Sequence, residues 1–174
     1  MIYKSIVSVV FSLFITFGQS DKLQKKIDKV VKSTFEVESF SMQSKTFSLS
    51  IMSELPTKFS NDHFFEIINN DQLLGYAYVS KAPSKTDEFD YLILFDADLI
   101  IMTSKVLVYR EDYGGEIGSK RWLKQFIGKS SSDQLVYGDN IMAISGATIS
   151  VKSMTNAVNN VLKSIKMLQQ KQEL

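Results

Sequence analysis

Apolar residues recur at helical spacing near the start of the chain, after an aspartate suited to cap a helix, Asp21. The apolar residues of this segment are Leu23, Ile27, Val30, Val31 and Phe35. The charged residues around the opposite face are Lys22, Lys25, Lys26, Asp28 and Lys32. The pattern predicts an amphipathic helix, and we interpret its lysines as a solvated face.

A longer stripe of the same kind occupies the end of the chain. Its apolar residues are Val151, Met154, Val158, Val161, Leu162, Ile165 and Leu168. The polar residues predicted to face outward are Lys152, Asn156, Asn159, Asn160 and Lys163. The spacing predicts an amphipathic helix from about Ser150, and its Gln- and Lys-rich end suits the negative pole of a helix.

Apolar runs between these helices predict strands. They span residues 40–51, 63–68, 73–80, 91–95 and 99–109. In the first run, Phe47, Leu49 and Ile51 alternate onto one side. The polar segments 69–71 and 96–98 predict turns, the second within a β-hairpin, and 82–88 predicts a loop.

A short helix is predicted after the last strand. Ser119 is suited to cap it, and Gly128 ends it at the usual glycine position. Its apolar residues are Trp122, Leu123, Phe126 and Ile127. The whole pattern predicts a single α+β domain, in which N-terminal and C-terminal helices flank an antiparallel sheet.

Composition narrows the chemistry. The 174 residues carry a net charge of +1 and no cysteine, which excludes disulfides, thiolate metal sites and iron–sulfur clusters. The single histidine, His63, argues against a histidine-rich metal site and against a Ser-His-Asp triad. No basic stripe accompanies aromatic residues, so no nucleic-acid partner is predicted. The sequence therefore predicts neither a catalytic acid–base group nor a metal site.

Residues 1–20 have the pattern of a secretory signal. Lys4 supplies the positive charge, residues 6–17 are mostly apolar, and Gly18-Gln19-Ser20 offers a small-x-small cleavage site before Asp21. A short membrane anchor is the alternative, although a spanning helix needs about 20 apolar residues. We therefore expect an exported protein, periplasmic or membrane-associated, with its domain at 21–174.

Residues 145–150, just before the C-terminal helix, form a segment suited to an anion. Gly146 and Ala147 are small, so an anion can approach the backbone, and Ser145, Thr148 and Ser150 add hydroxyls. The unpaired amides and the positive pole of the following helix favour phosphate there. An ordinary helix cap made by a Ser or Thr side chain is the alternative interpretation.

The motif Ser145-Gly146-Ala147-Thr148 resembles the Ser-Gly-Ala-Thr motif of the FMN-binding domain family. That family includes the FMN-carrying subunits of the Rnf and sodium-pumping NADH:quinone oxidoreductase complexes. In such proteins, a flavin transferase uses FAD to join FMN to the motif's threonine through a phosphoester. The resemblance implies FMN as cofactor and Thr148 as its attachment residue.

A second segment resembles the same family, and together the two cover about residues 107–168. Glu111, Gly114-Gly115, Trp122 and the Gln125–Gly128 sequence follow the family's order of glutamate, glycine turn and short aromatic helix. The resemblance implies that Glu111, Gly114 and Gly115 belong to the flavin site. Trp122 is a candidate wall for the flavin ring, with core packing as the alternative.

Two departures from the family pattern bear on the assignment. The family usually has an aspartate six residues before the attachment threonine, where this chain has Met142. Tyr109 and Asp112-Tyr113 replace the histidine and Thr-Pro often found near the glycine turn of the complex subunits. The first departure questions covalent loading, and the second indicates a simpler relative of the pump subunits.

The resemblance implies an electron carrier of the cell envelope more than a stand-alone enzyme. Its partners would be a flavin transferase, a membrane redox donor and an acceptor that the sequence does not identify. Two alternatives stay open: a non-covalent FMN-binding module with a reductase role, and a flavin-free interaction domain.

Overall fold

The computed structural model describes residues 21–174. The predicted targeting segment, residues 1–20, lies outside the described residues, so it stays a prediction. Among the helices of 21–174, none combines the length and the apolar character needed to cross a bilayer.

A five-stranded antiparallel sheet forms the centre of the fold, with the strands in chain order. The strands are β1 (Ser41–Ser44), β2 (Phe64–Asn69), β3 (Gln72–Pro83), β4 (Glu88–Asp96) and β5 (Ile101–Val108). Antiparallel neighbours need only short connections. Asn70 and Asp71 supply one of these by adopting φ values of 48° and 60°.

Helices and short helical turns surround the sheet. They are α1 (Asp21–Phe35), α2 (Leu49–Glu54), α3 (Lys120–Leu123) and α4 (Thr148–Gln170), with 3₁₀ turns at Gly115–Gly118 and Lys124–Phe126. Ser119 caps α3 by accepting from the Trp122 amide, as predicted. Gly128 adopts φ 78° two residues after the 3₁₀ turn that follows α3, so the predicted helix is divided into α3 and this turn.

Apolar side chains cover both faces of the sheet, because successive strand residues point to opposite sides. On one face, Ile27 and Val31 of α1 pack with Ala77, Val79 and Leu92. On the other face, α4 covers the aromatic residues of β2, β3 and β4. All seven residues of the predicted α4 stripe are buried, which confirms that stripe. The predicted single α+β domain is confirmed as well.

The predicted strand 40–51 is wrong after Ser44. Ser48 instead caps α2 by accepting a hydrogen bond from the Ile51 amide. Leu49 is 82% exposed, so it does not belong to a buried strand face. Alternation over 47–51 was misleading because a helix cap decides the local structure.

Two smaller predictions also need correction. The loop predicted at 82–88 is only residues 84–87, since β3 and β4 pair as far as Pro83 and Glu88. Asn159 does not simply face solvent: its amide side chain donates to the Leu135 carbonyl and accepts from the Leu135 amide, at 2.7 and 2.9 Å. Asn159 therefore ties the preceding loop to α4.

Candidate functional site

The start of α4 lacks a side-chain cap. Ala147 occupies the cap position, and no side chain accepts from the first helical amides there. The prediction that Ser145 or Thr148 caps this helix is therefore not supported. Gly146 adopts φ 79°, and Thr148 is exposed on the first turn. The helix thus begins with free donors at its positive pole, an arrangement that favours an anion.

Gly114 brings the glycine turn into contact with the start of α4. It adopts φ 79°, and a Cβ placed on it would lie 2.7 Å from the Ala147 Cβ and 3.2 Å from the Tyr109 hydroxyl. Only glycine permits both this conformation and this approach. A Cβ on Gly115 would meet no atom within 4 Å, so that glycine is not needed for packing.

Tyr109 joins the end of β5 to the first turn of α4. Its hydroxyl lies 3.0 Å from the Ser150 Oγ, and Ser150 is buried. This hydrogen bond fixes one wall of the region in front of Thr148.

A cavity of about 430 Å³ opens at this position. Its lining residues are Lys85, Tyr109, Glu111, Tyr113, Gly146, Ala147, Thr148, Ile149 and Ser150. The cavity combines helix amides, hydroxyls, two aromatic rings, one ammonium group and one carboxylate. The structure therefore brings together most residues of the two sequence segments that predicted the site.

Glu111 fastens the β3–β4 loop to this cavity. Its carboxylate accepts hydrogen bonds from the Thr86 amide at 2.6 Å, the Thr86 hydroxyl at 2.9 Å and the Asp87 amide at 3.3 Å. These bonds hold the loop that presents Lys85. Glu111 therefore shapes the cavity through the loop as well as lining it.

The pKa of Glu111 is lowered from its ordinary value to about 2. The nearby Ser84 hydroxyl is the largest cause, followed by the donors of Thr86. The Ser84 Oγ lies near the carboxylate without making a hydrogen bond of normal geometry. Glu111 is thus ionised throughout the neutral and mildly acidic range.

Trp122 lies in the core and does not line the cavity. It is 4% exposed, and its ring packs edge-on against Phe126. Its Nε1 donates to the Met142 carbonyl at 2.7 Å, and the Gln125 Oε1 accepts from the Met142 amide at 2.7 Å. In this position Trp122 and Gln125 anchor the segment that leads to Thr148.

The other predicted site residues divide into two groups. Gly146, Ala147, Thr148, Ser150 and Glu111 line the cavity, and Gly114 packs against it. Ser145 and Gly115 are exposed and lie outside its lining. Sequence reasoning did not place Lys85, Tyr109, Tyr113 or Ile149 in the site. These residues belong to no motif of the site, and only the fold brings Lys85 close to Thr148.

A larger cleft of about 830 Å³ lies elsewhere, beside the start of α1. It contains the ion pair between the buried Asp90 and the exposed Arg110 as well as Lys58, Asp62 and His63. Burial lowers the pKa of His63. Among the side chains of 21–174, no three or more His, Asp or Glu groups converge on a point suited to a metal ion.

The part of the chain that forms the cavity matches the model of a known protein family. Residues 85–163 match the family model of the FMN-binding domain. The match indicates FMN as the cofactor, and this part of the chain is called the FMN-binding segment below. It includes every residue that lines the cavity, from Lys85 to Ser150. No curated protein shows a significant match to the chain.

The chemistry of the cavity fits FMN. Its volume falls within the range of small-molecule sites, roughly 300–1,000 Å³. The amides at the start of α4, the hydroxyls of Thr148 and Ser150, and the Lys85 ammonium suit a phosphate. Tyr109 and Tyr113 offer the aromatic surfaces that a planar ring requires. The FMN-binding segment thus contains groups for both parts of this cofactor.

Proposed function

We propose that the chain is an electron-carrying flavoprotein of the cell envelope, with FMN attached through its phosphate to Thr148. One observation carries this proposal. The exposed Thr148 hydroxyl lies in a cavity formed by the uncapped start of α4, within the FMN-binding segment. Bound FMN supplies the capacity to take up and release one or two electrons.

In this proposal the residues of the cavity bind and orient the cofactor. The Lys85 ammonium and the α4 amides balance the negative charge of the phosphate. Tyr109, held by its hydrogen bond to Ser150, gives a fixed aromatic surface, while the exposed Tyr113 gives a second one. Electron relay needs no catalytic acid or base, so binding, orientation and tuning of the potential are the protein's part.

Attachment to Thr148 would be a transfer from FAD by a flavin transferase. The Thr148 Oγ1–P bond forms while the pyrophosphate P–O bond of FAD breaks. AMP leaves, and the hydroxyl proton passes to solvent or to a base of the transferase. The oxidation state of the flavin does not change. The exposure of Thr148 supports this step, because another enzyme must reach it.

The test is the intact mass of the full chain after co-expression with a flavin transferase. We expect a gain equal to FMN less one water, located at Thr148 by peptide mapping. Thr148→Ala should abolish the gain, whereas Ser153→Ala, which removes a hydroxyl between one and two turns further along α4, should retain it. A covalent flavin that survives Thr148→Ala would contradict the attachment site.

A second candidate, a non-covalent FMN-binding module with a reductase role, is favoured by Met142. Its side chain is 65% exposed at the position where the family usually has an aspartate. If the transferase reads that aspartate, Met142→Asp should raise the covalent fraction, and Ala143→Asp serves as the control of equal charge. Flavin that co-purifies but is released on denaturation would select this candidate over the first.

The flavin-free interaction domain is the third outcome of the same experiment. A colourless protein whose thermal midpoint does not respond to added FMN would select it. Such a result would remove the electron-transfer proposal together with its expected partners, a membrane redox donor and an external acceptor.

A further inference from the structure

A second basic site lies outside the flavin cavity, in a groove between α1 and α3. Its volume is about 430 Å³. The residues of this basic groove are Val30, Ser33, Thr34, Thr103, Ser104, Lys105, Lys120, Leu123, Lys124 and Ile127. Helix α1 forms one wall, β5 forms the floor, and α3 with the following turn forms the other wall.

Three ammonium groups face this groove without a carboxylate among its lining residues. Within residues 21–174, Lys105, Lys120 and Lys124 form no ion pair, whereas four other basic residues do. Residues 1–20 contain no Asp or Glu that could supply the missing partner. The cations therefore repel one another, and a bound anion would relieve that repulsion.

Hydroxyl groups complete the donor set. Ser33, Thr34 and Thr103 line the groove beside the lysines, and of these the Ser33 hydroxyl donates to the Val30 carbonyl at 3.0 Å. Ser104, on the floor of the groove, is only 2% exposed. Its hydroxyl makes one long hydrogen bond, of 3.4 Å, to the Leu123 carbonyl. Hydroxyl and ammonium donors together suit the several oxygens of a phosphate group.

The positive surface continues along α1. Lys22, Lys25, Lys29 and Lys32 are exposed at spacings of three and four residues, so they share one side of the helix. Lys29 precedes Ser33 of the groove by one helical turn. Ile127, 51% exposed at the rim, adds an apolar surface beside the charges.

We propose that the basic groove binds a phosphate group, carried by an anionic phospholipid headgroup or by a free phosphate. The shared chemistry is a compact, multiply charged oxyanion among three ammonium groups and several hydroxyls. The site is separate from the FMN cavity and does not depend on the flavin assignment. The lysines of α1, interpreted from sequence as a solvated face, would extend this anion-binding surface.

The test compares two triple variants of the full chain that lose the same charge. Lys105→Gln, Lys120→Gln and Lys124→Gln empty the groove of cations. Lys58→Gln, Lys163→Gln and Lys166→Gln alter exposed lysines outside it and serve as the control. Equal thermal midpoints in the absence of anion show that both variants fold.

Vesicles of phosphatidylcholine with and without phosphatidylglycerol test the lipid source. We expect the groove variant to lose affinity for the anionic vesicles by on the order of a hundredfold, since each lysine near such a surface contributes roughly fivefold. The control should lose far less. Phosphatidylcholine alone measures binding through the apolar N-terminal run.

Inorganic phosphate tests the free source by nuclear magnetic resonance titration. Shifts confined to the groove and absent in the groove variant, without preference for anionic vesicles, would assign the site to free phosphate. Equal losses in both triple variants would show that net charge alone governs binding, and would overturn the proposal. Failure of both probes to bind the unaltered chain would overturn it as well.

Discussion

At Gly114, both the backbone conformation and the close packing of the turn shape the cavity at Thr148. Its φ of 79° costs an L residue roughly 1–2 kcal/mol, and the missing Cβ makes room for Ala147. We expect Gly114→Ala to lower the free energy of unfolding by about 2–3 kcal/mol and to weaken FMN binding.

Gly115→Ala is the matched control for this variant. A Cβ there meets no atom within 4 Å, so we expect a change within about 0.5 kcal/mol. Denaturant unfolding measures both variants. Equal destabilisation by the two substitutions would show that the contact between Gly114 and Ala147 does not matter.

Glu111 predicts a dependence of stability on pH. Because its pKa is lowered to about 2, its contribution is fully present above its ordinary value of 4.5 and is lost as the pH falls through 2. Glu111→Gln removes the charge while keeping one acceptor oxygen. We expect this variant to unfold more easily at neutral pH, and its deficit to shrink as the pH falls from 4.5 towards 2.

Glu116→Gln provides the comparison for Glu111. Glu116 is exposed and makes no side-chain hydrogen bond within 21–174. Unfolding midpoints followed across the acid range should therefore diverge from the unaltered chain only for Glu111→Gln. If the two variants follow the same curve, the bonds to Thr86 are not a source of stability.

At the scale of elements, α4 both covers the sheet and presents the cavity with its first turn. Leu162 is 1% exposed on the face that packs against the sheet. Leu162→Ala should lower the free energy of unfolding by about 2–5 kcal/mol, because it leaves a cavity in a packed core. Lys163→Ala, on the exposed side, should change it by no more than about 0.5 kcal/mol.

Circular dichroism during denaturant titration measures the α4 pair. The Leu162 variant should retain FMN while it is folded, since Leu162 lies over three turns from Thr148. Loss of FMN at full folding would show that the interior of α4 reaches the cavity in a way that its lining does not indicate.

Elements with a long apolar stripe could be predicted from the sequence, because the periodicity of the buried residues is enough to identify their structure. Both α1 and α4 were found this way, as was the β4–β5 hairpin. Residues 47–51 misled because the Ser48 cap outweighed alternation. The predicted end of β3, at Ser80, is also too early. The sequence pattern does not show that β3 and β4 continue to pair as far as Pro83 and Glu88.

The candidate site was predictable only where residues adjacent in sequence act together. The motif at 145–148 and the glycine turn at 114 have local signatures. Lys85 enters the cavity through the β3–β4 loop, which Glu111 holds from 25 residues away. From the sequence, Trp122 is a candidate to pack against the flavin ring. In the structure it lies in the core, and its Nε1 donates a hydrogen bond to the Met142 carbonyl.

At the scale of the whole molecule, one measurement tests both ends of the chain. We expect the protein purified from its native host to begin at Asp21 and to carry the mass of FMN less one water. Intact mass spectrometry resolves the two changes independently. An N-terminus at Met1 would refute the predicted cleavage without bearing on flavin attachment. A chain of residues 21–174 without the mass of the flavin would refute the attachment without bearing on cleavage.

The FMN-binding segment contains only two of the five strands, β4 and β5. Its β4 strand pairs along its length with β3, which lies before the segment. An isolated 85–163 fragment would therefore expose one edge of β4 and lack α1, which packs against β5. The N-terminal half completes the structure on which the matched segment depends.

If Thr148 accepts the flavin as proposed, its position on α4, after the five strands, also sets the order in which the chain becomes able to accept it. A ribosome or an export channel releases β1 to β5 first, and each strand can pair with the one just before it. The proposed attachment residue, Thr148, emerges later, and its surroundings form only when α4 packs on the finished sheet. A chain truncated before residue 148 would fold part of the sheet but present no acceptor. In that proposal, flavin attachment would report that α4 had been synthesised and had packed on the sheet.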